Sequence, residues 1–193
     1  MSEIVVRRIG VNEAAAQVEQ LDAQVDARPD AQVDAQLAAQ LADLLLDCVE
    51  GGASVSFMLP LARDKALAFW RDVLGGVARG ERTLIVAEDA HGIAGTVQLI
   101  TAMPDNQPHR ADVAKLLVRQ RARGAGIGRR LMEAAEHAAR DQGRHLLVLD
   151  TASDTAARLY ERLGWQRVGI VPDYALLPQG GLCATTFYYK QLA

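Results

Sequence analysis

Three glycines at alternate positions, Gly124, Gly126 and Gly128, stand between an apolar run and a segment with helical periodicity. The apolar run ends at Val118 and is long enough for a buried strand. After the glycines, apolar residues recur at spacings of three and four: Ile127, Leu131, Ala134 and Ala138. This pattern predicts a strand, a glycine loop and a helix in succession.

Such a loop has the properties of an anion site. The first turn of a helix leaves backbone N–H groups without internal acceptors, and the helix dipole adds partial positive charge there. Glycine lets a ligand approach the backbone, because it has no Cβ and adopts positive φ easily. Four arginines add positive charge around the loop: Arg121, Arg123, Arg129 and Arg130. The stretch therefore predicts a site for a phosphate or diphosphate group.

The spacing of the glycines distinguishes between the known kinds of phosphate-binding loop. A nucleotide-binding P-loop is excluded, because no Lys followed by Ser or Thr comes after the glycines. The dinucleotide fingerprint GxGxxG is not met either, since the glycines here read GxGxG. One feature keeps a dinucleotide open as a minor alternative. Asp150 ends an apolar strand about twenty residues further on, where a ribose-binding acid would lie.

A third kind of loop fits. The pattern Arg123-x-x-Gly126-x-Gly128, between a strand and a helix, resembles the acetyl-CoA pyrophosphate loop of the GNAT superfamily of N-acetyltransferases. The resemblance extends from Gly51 to Leu192 through segments such as LLVLDTAS, RLYERLGW and DYALLPQGGL, and is greatest to the tabtoxin-resistance acetyltransferase-like branch. It implies an α/β fold, an α+β sandwich. Helices would flank a mixed sheet of six to seven strands, with acetyl-CoA bound between the splayed central strands.

The resemblance also implies roles for individual residues. Backbone groups of Leu117 and Val118 would contact the pantetheine and the acetyl group. N–H groups of the loop would hold the pyrophosphate: Arg123, Gly124, Ala125, Gly126, Ile127, Gly128 and Arg129. The connection between the first helices lines the acceptor site in GNAT folds, which makes Phe57 and Met58 candidates for substrate contact or for core packing.

Acetyl transfer to an amine needs a base, because an alkyl amine with a pKa near that of Lys, about 10, is almost wholly protonated at pH 7. Asp112, at the start of the strand before the loop, is the candidate base or amine-binding carboxylate. Its alternative is a solvated acid that pairs with Arg110 or Lys115. His109 and Arg110 precede Asp112 closely enough to be candidates for the substrate site.

Two further residues complete the predicted catalytic set. Asp150 lies at the carboxyl end of a buried strand, where α/β sheets place ligands. It could bind the amine, share the base role, or cap the next helix. Tyr160, in the segment LYERLGW, matches the tyrosine that GNAT enzymes aim at the cofactor sulfur. It is the candidate general acid, with packing in the helix as the alternative.

The remaining elements follow from periodicity and from turn residues. Strands are expected near residues 3–9, 82–88, 93–100, 110–118, 146–150, 165–171 and 185–192, with an excursion at 172–181. Helices are expected near 12–27, 30–49, 63–75 and 155–163, besides the one after the glycine loop. The sequence DAQVDA occurs at 22–27 and again at 30–35, so 12–49 is interpreted as an extended helical segment with a short repeat.

Composition limits the class of protein. The chain has 193 residues, half of them hydrophobic, which predicts one domain, and its net charge of −3 predicts no nucleic-acid partner. Together with the resemblance, this implies a single GNAT domain over 1–193. We find no membrane-span pattern and no secretion signal. Cys48 and Cys183 have no metal-ligand spacing, and no metal site is expected. Acetyl-CoA as acetyl donor implies a cytoplasmic location.

These observations lead to one main functional hypothesis. The chain is expected to be an N-acetyltransferase that moves an acetyl group directly from acetyl-CoA to a small amine, including amino-acid-like toxins and antibiotics. A protein or peptide acetyltransferase and a non-catalytic acetyl-CoA-binding module are the alternatives. Because members of the superfamily often dimerise, a homodimer is also considered.

Overall fold

A computed structural model describes residues 3–26 and 36–193. The N-terminal part contains β1 (Val5–Arg8), α1 (Val11–Asp26), α2 (Gln36–Glu50) and α3 (Arg63–Ala78). The remainder contains β2 (Arg82–Asp89), β3 (Gly92–Ile100), β4 (Arg110–Val118), α4 (Ile127–Asp141), β5 (Leu146–Thr151), α5 (Asp154–Arg162), β6 (Gln166–Leu176) and β7 (Leu182–Gln191). A 3₁₀ turn, Gln120–Ala122, lies between β4 and α4.

The strands form one mixed sheet with the order β1-β2-β3-β4-β5-β7-β6. The pair β4 and β5 is parallel, and the other neighbouring pairs are antiparallel. The parallel pair is connected through α4, because parallel neighbours require a crossover. This confirms the predicted α/β class with a mixed sheet of six to seven strands.

Helices cover both faces of this sheet. One core cluster joins α1, α2 and α3 to the sheet and includes the fully buried Trp70. The other joins α4 and α5 to the opposite face, where Leu131 and Tyr188 are buried. In the described ranges, no helix has both the length and the apolar character needed to cross a bilayer.

The central strands separate near the middle of the sheet. Parallel pairing of β4 with β5 runs from Arg110 opposite Leu146 to Asp112 opposite Val148 and goes no further. On its other side β4 pairs with β3 along its length, with one extra residue in β4 between Ala114 and Leu117. Such a bulge bends a strand and increases its local twist. The second half of β4 therefore diverges from β5 and leaves a gap between the two strands.

Two parts of the sequence interpretation change. The expected excursion at 172–181 is wrong, because β6 continues to Leu176 and forms a long hairpin with β7. Pro172 is tolerated because β6 is the edge strand and the pairing is irregular between Val171 and Ala175. Much of the DAQVDA repeat, residues 27–35, lies outside the described residues.

Candidate active site

The glycine loop has the conformation that its sequence predicts. Gly124 and Gly126 have φ values of 82° and 78°, in the left-handed region that glycine adopts without strain. Gly126 is the N-cap of α4. Within the described chain, the N–H groups of residues 124–129 donate no hydrogen bond, and the first N–H bonded back is that of Arg130, to the Gly126 carbonyl at 3.2 Å. The loop thus presents a row of free donors.

The arginines around this loop do not all remain available for a ligand. Arg121 forms an ion pair with Asp89 at 2.6 Å, and Arg129 forms one with Glu133 at 2.7 Å. Arg123 donates from Nε to the carbonyl oxygen of Val118 at 3.3 Å. Arg121 and Arg129 are thus engaged by carboxylates of the described chain, whereas the backbone N–H groups of residues 124–129 are not engaged.

Replacing Gly126 with Val is expected to reduce acetyl-CoA affinity by a few kcal/mol, because a β-branched residue disfavours positive φ and displaces the N–H donors. Calorimetric titration of acetyl-CoA would measure the loss. Gly143→Val is the matched control, since Gly143 is also exposed, has φ 66°, and lies past the other end of α4. Affinity within about threefold of wild type in Gly126→Val would contradict the assignment.

Asp112 lies where the gap between β4 and β5 begins. Its neighbours Ala111 and Val113 are buried toward α4, so Asp112 points to the opposite face of the sheet. Its carboxylate accepts a hydrogen bond from Arg110 Nη1 at 2.8 Å. Burial raises the pKa of Asp112, Arg110 opposes the rise and the charge of Asp150 adds to it. A carboxylate with a raised pKa is a better base than an ordinary aspartate.

Asp150 lies on the neighbouring strand, on the same face of the sheet as Asp112. Its side chain is exposed and accepts a hydrogen bond from Thr185 Oγ1 at 2.7 Å. The cap of α5 is Ser153, whose Oγ accepts from the Ala156 N–H at 3.3 Å, so the alternative role of Asp150 in capping is not used. Asp112 pairs with Val148, two residues before Asp150, so the two carboxylates lie on the same face of neighbouring strands, and the charge of Asp150 adds to the rise in the pKa of Asp112.

Tyr160 lies on α5 and packs on the face of the sheet opposite to that of Asp112. It is buried between Trp165 and Tyr188, with ring centroids at 6.0 and 5.9 Å. Burial and the charge of Asp150 raise its pKa, so the phenol stays protonated. Its hydroxyl makes no hydrogen bond to another described residue. The ring therefore packs in the core, as the alternative interpretation expected, and the role of the hydroxyl as general acid stays a prediction.

The acceptor candidates are not all brought together. Phe57 is buried and packs edge-on against Phe69 at 5.2 Å, while Met58 is 40% exposed. His109 stacks on His145 at 6.3 Å, before the first residues of β4 and β5. That is the paired end of the two strands, away from the gap. Of these residues, the loop positions 57 and 58 face the sheet side that carries Asp112.

Sequence reasoning gave no role to Lys115 as a site residue. It occupies the bulge of β4 with φ 53°, and its Nζ donates to Ser56 Oγ at 3.1 Å. The ammonium lies 5.9 Å from the centre of the Phe69 ring. The one signal in the sequence is a lysine within the apolar run 113–118, and an alternating pattern by itself would suggest that this residue is solvated.

Gly95 is a second residue to which the sequence analysis gave no role. A Cβ at this position would lie 2.8 Å from the carbonyl oxygen of Leu117 and 3.0 Å from Ile127. Glycine in β3 therefore allows the bulged strand and the start of α4 to approach closely.

The β6–β7 hairpin reaches over the same face of the sheet as the α2–α3 connection. The N–H of Leu59 donates to the carbonyl oxygen of Pro178 at 2.9 Å. Ser54 Oγ donates to the carbonyl oxygen of Leu176 at 3.4 Å. The hairpin tip and the loop that carries Phe57 are thus tied together beside the gap, which narrows access to it.

Comparison with known proteins agrees with this geometry. Residues 80–167 match the sequence model of the acetyltransferase (GNAT) domain. An uncharacterised N-acetyltransferase encoded in the hisH–hisA intergenic region of Azospirillum brasilense is 35% identical over 106 residues, which are 54% of this chain and 61% of that protein. The chain thus spans about three fifths of the length of this curated relative.

Solved structures match nearly the whole chain. A proposed acetyltransferase from Acinetobacter baylyi superposes with a TM-score of 0.74 at 13% identity, covering 100% of this chain and 94% of that one. A proposed acetyltransferase from Salmonella typhimurium, solved with its cofactor acetyl-CoA, superposes with a TM-score of 0.60 at 19% identity, covering 100% and 95%. At these identities the likeness concerns the fold. The tabtoxin-resistance branch is not distinguished by these matches.

Proposed function

The described chain has the GNAT fold and matches its acetyltransferase domain over residues 80–167, and on that premise we propose an acetyl-CoA-dependent N-acetyltransferase that acts on a small amine. The observation that carries the proposal is the row of free N–H groups at residues 124–129, which leads to a gap lined by carboxylates and a protonated tyrosine. We further propose that residues 1–193 act as a single domain in the cytoplasm, where acetyl-CoA is available.

The residues present suit acetyl-CoA. The free N–H groups of the loop would hold the pyrophosphate, and positive φ at Gly124 and Gly126 keeps them pointing outward. The edge of β4 beyond Asp112 is unpaired on the side of β5, so backbone groups from Val113 to Val118 can bond a pantetheine chain. When bound, acetyl-CoA supplies the acetyl group and leaves as the CoA thiol.

Different side chains would carry out the two proton transfers, one from the acceptor ammonium and one to the departing thiolate. Asp112, with its raised pKa, would take the proton of the acceptor ammonium, and Asp150 would hold that ammonium nearby. Unpaired backbone N–H groups of β4 would stabilise the developing oxyanion. Tyr160 would protonate the departing thiolate. Its raised pKa keeps the phenol protonated at neutral pH but makes it a weaker acid than an ordinary tyrosine, so its contribution is to hold a proton within reach of the developing negative charge.

Transfer without a covalent intermediate on the protein is the mechanism that we propose. Cys48 is the cysteine near β4, and its thiol lies 3.5 Å from the carbonyl oxygen of Val118. It is buried, and burial raises its pKa to about 11. A thiol of this kind is almost wholly protonated at neutral pH and is a poor nucleophile.

A small acceptor is favoured over a protein chain by the contact between the hairpin tip and the α2–α3 loop. The hydrogen bond between Leu59 and Pro178 restricts the space above Asp112 and Asp150, whereas an extended peptide needs an open groove. The proposed acceptors include amino-acid-like toxins and antibiotics, in keeping with the resemblance of the sequence to the tabtoxin-resistance branch.

A CoA-release assay with a panel of amines tests the proposal. The panel would contain amino acids, polyamines, aminoglycosides, β-lactam amino acids and N-terminal peptides, each with acetyl-CoA. Release with a small amine would support it, and release with peptides alone would favour a protein acetyltransferase. Tight acetyl-CoA binding without release on any acceptor would show a non-catalytic module.

The same assay distinguishes the two carboxylates. Asp112→Asn is expected to lower the rate about 10²- to 10⁴-fold, the usual contribution of a general base, whereas Asp150→Asn should mainly raise KM. For wild type, the rate should rise with pH through a pKa above the ordinary value of 3.8, because Asp112 acts only when ionised. If kcat falls in Asp150→Asn but not in Asp112→Asn, Asp150 is the base and Asp112 is the residue that holds the ammonium.

A further inference from the structure

The ammonium of Lys115 is unusual in its surroundings. It lies on the face of the sheet that carries Asp112, between the α2–α3 loop and the ring of Phe69. The side chain is partly buried, and burial lowers its pKa, an effect that Asp150 opposes. A lysine in this position bears a charge that is poorly hydrated by solvent.

Nothing in the described residues neutralises this charge at close range. An ammonium has three N–H donors, and one of them is used by Ser56 Oγ at 3.1 Å. No described carboxylate lies within 4.0 Å of Lys115 Nζ, although Asp112 and Asp150 lie on the same face. Two donors and a partly desolvated charge are therefore available to a ligand.

The backbone at this residue is also held in an uncommon conformation. Lys115 has φ 53°, in the left-handed region where a residue with a Cβ is strained. Glycine or asparagine would occupy the bulge more easily. Strain of this type persists where the surrounding structure enforces it, and it concentrates at functional sites. The bulge directs the lysine toward the acceptor side of the gap.

From this geometry we propose that Lys115 binds a carboxylate of the acceptor while Asp112 and Asp150 bind its amine, so that the substrate class is amino carboxylates. The inference rests on the proposed acetyl transfer and specifies its acceptor. Lys115 is a specificity-determining residue in it and takes no part in the proton transfers.

The charges on this face of the sheet favour a carboxylate, rather than a phosphate or a second amine, as the group that Lys115 binds. Two carboxylates, the Lys115 ammonium and the Arg110 guanidinium lie on this face, and Arg110 is paired with Asp112 at 2.8 Å. Asp150 and Lys115 have no ion-pair partner among the described residues, which suits an acceptor with one positive and one negative group. A dianionic phosphate would face Asp112 and Asp150, with Arg110 engaged by Asp112 and only Lys115 left to offset its charge. A polyamine would bring a second cation next to Lys115. Both are disfavoured by like-charge repulsion.

Calorimetric titration tests this without requiring turnover. The full chain, saturated with CoA, would be titrated with a panel of L-amino acids and, in parallel, with the carboxamide of each. At least one amino acid is expected to bind about ten- to hundredfold more tightly than its carboxamide, as for a hydrogen-bonded charge pair. Lys115→Met should abolish the difference, and Lys115→Arg should restore part of it.

Ser56→Ala is the structural control. It removes the hydrogen bond that holds Lys115 to the α2–α3 loop but leaves the charge, so it should retain the preference for the carboxylate. The proposal is overturned if every amino acid binds no better than its carboxamide, or if Lys115→Met keeps the preference. A carboxylate preference in a protein that releases no CoA would leave the role of Lys115 standing and refute the transfer activity.

Discussion

Replacing Tyr160 with Phe is expected to lower the rate of acetyl transfer by about 10²- to 10⁴-fold and to leave acetyl-CoA affinity nearly unchanged. The ring fills the same space beside Trp165 and Tyr188, so packing is preserved. The hydroxyl is lost, and with it the proton for the departing thiolate. Burial and Asp150 raise the pKa of this phenol, so wild type carries the proton throughout the neutral range. Single-turnover CoA release would measure the effect.

Tyr188→Phe is the matched control for this prediction. Tyr188 belongs to the same aromatic cluster, but its hydroxyl donates to Glu161 at 3.0 Å instead of facing the gap. This variant should keep a rate close to wild type. Equal rates in Tyr160→Phe and wild type, or equal losses in the two variants, would remove Tyr160 from the mechanism. Unchanged rates in both Tyr160→Phe and Asp112→Asn would remove the mechanism as a whole.

The largest expected effect on stability is that of Glu136→Ala, which should lower the free energy of unfolding by about 3–5 kcal/mol. Glu136 lies on α4 and is nearly buried. Its carboxylate accepts from Lys190 Nζ at 2.7 Å and from Trp165 Nε1 at 3.0 Å. These contacts join α4 to β7 and to Trp165, which lies directly before β6. Without Glu136, the partly buried ammonium of Lys190 keeps only the carbonyl oxygen of Leu163 as acceptor among the described residues, and the indole N–H has none.

Urea denaturation, followed by circular dichroism, would measure this loss. Glu133→Ala provides the comparison, because Glu133 lies on the same helix and forms an exposed pair with Arg129. An exposed pair of this kind is worth about 0.3–0.5 kcal/mol. If the two variants unfold at the same urea concentration, the contacts of Glu136 do not contribute as their burial implies.

Local sequence was sufficient where one segment determines its own structure. The glycine loop was predictable, because Gly124 and Gly126 allow positive φ and the helical periodicity begins directly after them. The helix that carries Tyr160 and the buried strand that ends near Asp150 were predictable for the same reason. The ion pair of Arg121 was not predictable, since its partner, Asp89, is distant in the chain.

Other features depend on contacts between distant segments. The continuation of β6 through Pro172 requires that β6 be the edge strand, where a missing N–H costs no ladder hydrogen bond. The place of His109 at the paired end of β4 follows from the register with β5. Neither strand order nor register can be calculated from the periodicity of one strand.

By itself, the sequence determined the loop that presents free N–H groups and the elements on either side of it, because glycine conformation and apolar spacing are local properties. Only the tertiary structure decided where β4 leaves β5, and hence where the gap opens beside Asp112 and Asp150. It also decided that an extra residue in β4 turns Lys115 toward that gap. The reason is physical: strand pairing, bulges and the burial of charge are set by hydrogen bonds and packing between segments far apart in the chain.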